Sequence, residues 1–202
     1  MTIIEKQQIK SYHTERLKKW EDKRSKILGW TSKKAQQLRF ETITSLASFN
    51  STSVLDLGCG YGDFKQFLDH RFYDFDYIGL DQQPEFIAQA KERFSNSQNT
   101  WFYTSDFTRC QLPEVDIVVA CGVLSYRCNE PNFYMRSIQQ FYESAKKTLI
   151  LNMLDEDGFH SGPLLVSHNK EEIYKQCREF CKHVTLETGY LDNDFTIRMT
   201  KG

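Results

Sequence analysis

Residues 54–64 read Val54-Leu55-Asp56-Leu57-Gly58-Cys59-Gly60-Tyr61-Gly62-Asp63-Phe64, an apolar run followed at once by three glycines in five positions. Glycine inside regular structure costs about 0.5–1 kcal/mol relative to alanine. Three of them directly behind a short buried strand (53–57) mark backbone that must bend sharply or admit something close to the main chain.

Working outward, the chain alternates strand and helix patterns. Residues 63–70 suit a helix with Phe64, Phe67 and Leu68 on one face, its start capped by Asp63. A strand over 76–80 ends at Asp81, and Pro84 then fits the first turn of a helix over 85–94. Further strands are expected at 100–104, 115–120, 147–152, 183–187 and 195–200, with helices at 132–145 and 170–181. This order predicts an α/β fold: a doubly wound, mostly parallel sheet of about seven strands with helices on both faces. The last two strands lie too close in sequence for a crossover helix, so an antiparallel strand is expected at one edge. Upstream, Ile9, Tyr12, Leu17, Trp20, Ile27 and Leu28 give an amphipathic helix pattern to about residue 28. Gly29 punctuates it, and Thr31 or Ser32 caps a second helix to about residue 48 whose apolar face is Leu38, Ile43 and Leu46. The expected organisation is a helical cap over 1–50, part of the same domain, and the α/β body over 51–202.

The 202 residues carry 40% hydrophobic side chains, enough for one domain with a core. No apolar run approaches the ~20 residues of a membrane span. The opening MTIIEKQQIK lacks the apolar stretch of a secretory signal, so a cytoplasmic protein is expected. Cysteines at 59, 110, 121, 128, 177 and 181 include no C-x-x-C pair and read as free thiols. His160, His168 and His183 are scattered, and no metal is expected. The net charge of −1 hides an asymmetry: residues 1–40 hold 11 Lys/Arg against 4 Asp/Glu, or +7, leaving −8 on the remainder. A basic arm suits either an anionic partner or a solvated helix face.

Ligands of open α/β sheets bind off the carboxyl ends of strands. A dinucleotide fingerprint G-x-G-x-x-G/A counted from Gly58 would end on Asp63, placing a carboxylate beside the pyrophosphate, which is electrostatically wrong. The chain has instead Asp56-x-Gly58-x-Gly60-x-Gly62, with an acid on the strand ahead of the glycines. That acid can hold an ammonium, as S-adenosylmethionine carries.

VLDLGCGYG resembles the first motif of the class I, Rossmann-like S-adenosylmethionine-dependent methyltransferases, and the later motifs follow in family order. YIGLD resembles the second, with Asp81 standing 21 residues after Gly60. The resemblance implies that the Asp81 carboxylate accepts bonds from the ribose hydroxyls, with Gln82 beside it. YTSDF resembles the third motif, implying Asp106 for the adenine amino group and Phe107 against the ring. DIVVACGVLSY resembles the fourth, implying that Cys121 and Gly122 floor the pocket and Leu124 packs under adenine. Asp56, Gly58, Cys59 and Gly60 complete the cofactor set, the two cysteines serving as small fillers. Arg39 is expected to meet the methionine carboxylate or a surface ion-pair partner. The resemblance runs from about residue 53 to 152, and FTIRM near the end suits the family's last strand.

The acceptor side is less determined. Tyr12, Trp20, Trp30 and Arg39 of the cap, Tyr126 after the fourth strand, and Asp155 and His160 after the fifth are the candidates. Tyr126, Asp155 and His160 are the expected catalytic residues, Asp155 or His160 acting as base. No Asn-Pro-Pro-Tyr-type sequence or tandem Cys arrangement names the acceptor. A small-molecule acceptor is the leading expectation. The alternatives are an RNA or protein acceptor held by the basic arm, or a cofactor-binding protein without turnover.

Overall fold

The computed structural model describes residues 1–20 and 24–202. Three helices precede the first strand: α1 (Ile3–Lys19), α2 (Arg24–Ile27) and α3 (Lys33–Ser45). The body then runs β1 (Ser53–Leu57), α4 (Asp63–Asp69), β2 (Asp76–Asp81), α5 (Pro84–Arg93), β3 (Thr100–Thr104), β4 (Val115–Cys121), α6 (Phe133–Ser144), β5 (Ala145–Leu154), α7 (Lys170–Cys177), β6 (His183–Glu187) and β7 (Asp194–Thr200). The sheet order is β3-β2-β1-β4-β5-β7-β6. All pairings from β3 to β5 are parallel.

Strand periodicity of two sorts the apolar residues onto two faces. Leu55, Leu57, Val118, Ala120, Leu149 and Leu151 face a core shared with Ile138 and Phe141 of α6 and Ile173 and Cys177 of α7. Val54, Ile117, Val119 and Ile150 face the opposite core with Phe40, Ile43, Phe64, Phe67 and Ile87 from α3, α4 and α5. Burial of each such side chain stabilises the fold by about 1.5–3 kcal/mol. The strand order reverses between β1 and β4, which opens a crevice beyond their carboxyl ends.

The last two strands pair antiparallel at one edge, as expected, with β6 outermost and β7 one place in, antiparallel to both β5 and β6. Burial explains the position. Phe195, Ile197 and Met199 of β7 are fully buried, whereas every described position of β6 is at least half-buried to exposed. The more apolar strand takes the interior slot.

The cap departs from expectation. The expected first helix spans residues 21–23, which lie outside the described residues; α1 ends at Lys19. Its buried stripe is Glu5, Ile9 and His13, two polar residues around one apolar one. Ser32 caps α3, accepting from Ala35 N. The inward face of α3 is Ala35, Gln36, Arg39, Phe40 and Ile43, and Leu38 and Leu46 are only half-buried. That rotation brings Arg39 inside. All six cysteines are free thiols. No helix among the described residues is long and apolar enough to cross a membrane.

Candidate functional site

The glycine turn after β1 is fixed by backbone bonds. Gly58 N and Cys59 N both donate to Leu80 O of β2, at 2.7 and 3.1 Å. Gly58 has φ +74° and Gly60 φ +54°, a region where a side chain is strained. A Cβ on Gly58 would stand 2.2 Å from Val123 Cγ1, and one on Gly60 would stand 2.7 Å from Leu28 Cδ2 of the cap. The turn therefore keeps its main chain bare between the loop after β4 and the helical cap. Asp63 does not cap α4: the N-cap is Gly62, and Asp63 instead binds Arg93 at 2.7 Å and Gln36 at 3.2 Å.

Asp81 ends β2 inside the same cleft. Gly60 N and Gln83 N donate to its two carboxylate oxygens at 2.9 and 2.8 Å. Burial pushes its pKa up to about 6, against these backbone bonds, which lower it. Each oxygen keeps lone pairs for further donors. Asp56 on β1 is buried and accepts the Tyr77 hydroxyl; burial, opposed by that bond, raises it to about 7. The side-chain amide of Gln83 is 3% exposed, lines the cleft, and its Nε2 has no partner. The indole Nε1 of Trp30 is likewise buried and unpaired at the cleft wall. Buried donors normally have partners, and these two leave hydrogen-bonding capacity unused at the cavity wall.

One cavity collects most of the expected site residues. Asp56, Gly58, Cys59, Asp81, Gln82, Asp106, Phe107, Cys121, Gly122, Leu124, Arg39 and Tyr126 all line it. Gly60 lies behind it, joined to Asp81. Burial pushes the Cys121 thiol up to about 12 and raises Cys59 well above the ordinary thiol range, so both are protonated at neutral pH. Asp106 is held low in spite of partial burial, by Lys6 and Thr108. Phe107 packs edge-on against Phe141.

Two expected residues, Asp155 and His160, lie outside this cavity, and a third, Arg39, lines it with its guanidinium already committed. Arg39 is not at the surface: it forms a buried two-point ion pair with Asp194 of β7, at 2.6 and 2.8 Å, under the Trp30 ring 4.6 Å away. Asp155 is buried but outside the cavity lining, bound to Lys170 at 2.9 Å. His160 is exposed and also outside the lining. The acidic run at 155–157 is drawn to Lys170 and Asn169 rather than to the cleft.

The cavity also contains a residue that the sequence pattern concealed. His13 of α1 is 6% exposed and lines the cleft, with Nε2 2.7 Å from the Tyr126 hydroxyl and Nδ1 3.2 Å from Ile27 O. Burial lowers its pKa to about 4, so it is neutral at physiological pH. A visible signal was present: Glu5 and His13 occupy the same helical stripe as Ile9, and polar residues on a buried stripe require specific partners.

Residues 54–147 match a family model described as a methyltransferase domain. That match covers just under half of this chain, and the sheet order and the carboxylate beside the glycine turn agree with such a domain. A relative from Mycobacterium tuberculosis (strain ATCC 25618 / H37Rv), named "Putative methyltransferase Rv1506c", is 39% identical over 75 residues, covering 37% of this chain and 43% of that protein. The match thus spans less than half the length of that curated relative. Among solved structures, magnesium protoporphyrin IX methyltransferase (ChlM) of Synechocystis PCC 6803 with bound SAH superposes with TM-score 0.69 at 14% identity, covering 98% of this chain and all of that one. The N-methyltransferase NodS of Bradyrhizobium japonicum WM9, in complex with S-adenosyl-l-homocysteine, gives TM-score 0.66 at 13% identity over 94% and 97% of the two chains. At such identity the likeness is one of fold.

Proposed function

We propose that the protein transfers the methyl group of S-adenosylmethionine to a small-molecule acceptor. The observation that carries this reading is the Asp81 carboxylate, aimed into the cleft by two backbone N–H groups next to bare glycine backbone and the unpaired Gln83 amide. Asp81 and Gln82 hold the ribose hydroxyls. Asp56 faces the methionine ammonium, and Gly58 and Cys59 give the backbone surface, with Gly60 supporting it through its bond to Asp81. Asp106 and Phe107 receive the adenine, after Lys6 yields its place on Asp106. Cys121, Gly122 and Leu124 form the floor. Arg39 serves the site by holding Trp30 and the cap against β7. Residues 1–50 act as the cap of the same domain.

The bound donor supplies a methyl group on a positively charged sulfur with a good neutral leaving group. The chain has to hold an acceptor atom about 3–3.5 Å from that carbon, in line, and to keep water out. Tyr12, Trp30, Phe86 and Leu165 wall the cavity on the acceptor side, which fits a compact, largely apolar molecule. A nucleic-acid acceptor is less favoured, because Lys6, Arg16 and Arg39 of the basic arm are engaged by Asp106, Lys26 O and Asp194.

Calorimetry with S-adenosylhomocysteine tests the reading. The wild type is expected to bind one equivalent, and Asp81→Ala to lose about 1–3 kcal/mol by forfeiting charge-assisted bonds. Equal affinity in a folded variant removes Asp81 from the ribose site, and no binding by the wild type overturns the proposal.

A further inference from the structure

The contact between His13 and Tyr126 joins α1 to the segment following β4, 113 residues apart in sequence, within the cleft. A carbonyl oxygen only accepts, so the bond to Ile27 O places the ring proton of His13 on Nδ1. Nε2 is then bare and accepts the Tyr126 hydroxyl proton. The lone pairs of the Tyr126 oxygen are left free for a donor.

The ring is held firmly. Phe86 packs against it edge-on at 5.3 Å, Tyr12 at 5.1 Å and Tyr126 at 5.9 Å. Arg16 is the charged group whose field reaches it, and this field also opposes protonation. A buried neutral imidazole has one donor and one acceptor to satisfy, and here the acceptor is met by a group at the cavity wall rather than by the main chain. The His13 ring has an oriented tautomer, two bonds, and a tyrosine hydroxyl at the wall of the cavity.

We propose that His13 and Tyr126 form a proton relay for a hydroxyl acceptor carried on an aromatic ring. Tyr126 is the residue that touches the acceptor, and His13 acts through it. The inference rests on the methyl-transfer reading above. As the acceptor oxygen bonds to the methyl carbon, the C–S pair stays on sulfur and the acceptor O–H proton passes to the Tyr126 oxygen. The Tyr126 proton passes to His13 Nε2. One positive charge leaves the sulfonium and one arrives on the imidazole, so the net charge of the cleft is unchanged. An oxygen acceptor needs this relay, because the oxonium left by methylating an intact hydroxyl is a high-energy species. An amine that attacks as the free base does not, since its methylated product keeps the proton as a stable ammonium. The aromatic walls formed by Tyr12, Trp30 and Phe86 favour a ring-bearing alcohol over an aliphatic one.

Two measurements test the relay. In nitrogen-15 NMR of the whole protein, His13 is expected as the Nδ1–H tautomer, with its Nε2 signal moved by Tyr126→Phe. An Nε2–H tautomer overturns the proposal without any assay. Methyl transfer is then followed with labelled S-adenosylmethionine and a panel of phenol, catechol and 2-naphthol against aniline and benzylamine. Product from the phenols is expected, with kcat reduced about 10²–10⁴-fold in His13→Gln. KM and S-adenosylhomocysteine affinity should stay within about twofold, and Tyr126→Phe should behave alike. Product only from amines, no product from any phenol, or a loss in His13→Gln confined to KM or donor affinity each overturn the relay. Failure of the wild type to bind S-adenosylhomocysteine would instead overturn the donor reading beneath it.

Discussion

On the sheet side of the cleft, Gly60 N and Gln83 N aim Asp81, and Gly58 hangs its turn on Leu80 O. On the cap side, His13 meets Tyr126 and Arg39 meets Asp194, pairs that are 113 and 155 residues apart. The sheet wall is local backbone geometry at consecutive strand ends. The cap wall is made of side chains that find one another only after the chain has folded. A wall of the first kind suits the donor proposed above, which meets mostly main chain and strand-end carboxylates. A wall of the second kind can change its side chains without disturbing the sheet, which suits the acceptor side proposed above.

The largest expected effect lies at the join of the two walls. Arg39→Ala leaves the Asp194 carboxylate buried without its partner and should cost about 3–5 kcal/mol in urea unfolding. A loss below 1 kcal/mol would mean that the cap is not anchored through this pair. Next comes the turn. Gly58→Ala forces a side chain to φ +74° against Val123, and strain alone should cost about 1–3 kcal/mol. Donor affinity should fall with it, and a variant as stable as wild type would show the turn to be more yielding than the sheet wall requires.

The titration of the sheet wall gives a third, smaller effect. Asp81 and Asp56 are raised to about 6 and about 7. Because the fold favours their protonated forms, the stability they contribute is fully present below the ordinary carboxylate pKa near 4. It is lost as the pH rises through about 6 to 7. Donor binding has the opposite sign, since ribose hydroxyls and an ammonium favour the ionised carboxylates. S-adenosylhomocysteine should bind more tightly between about pH 5 and 7 as pH rises, releasing protons. Calorimetry in buffers of different ionisation heat reads the release directly, and proton uptake would contradict the assignment of these two carboxylates. The smallest effect belongs to His160→Ala, which should change unfolding free energy by less than about 0.5 kcal/mol and leave methyl transfer intact. A large activity loss would return His160 to the cleft.

The same contrast explains what could be read from the sequence. Glycines at fixed offsets behind Asp56, and acids at the ends of β2 and β3, are local patterns, and the cavity gathers Asp56, Asp81 and Asp106 as the motif order implied. The parallel sheet followed from strand–helix alternation. So did the antiparallel pairing of the last two strands at one edge; which of them lies outermost did not, because that depends on which buries more apolar surface. The inward face of α3 was misread at Leu38 and Leu46 because the fold buries Arg39, and an arginine counts as polar until its distant carboxylate is known. His13 escaped for the same reason. Asp155 and His160 attracted notice as titratable groups after β5, yet Lys170 claims the first and solvent the second.

The most direct measurement is a crystal structure of the protein with S-adenosylhomocysteine bound. The account expects both ribose hydroxyls on the Asp81 carboxylate, the adenine beside Phe107 with Lys6 moved off Asp106, and the sulfur facing the wall that holds Tyr126. A nucleoside lodged elsewhere, with Asp81 still bound only to Gly60 and Gln83, would contradict it.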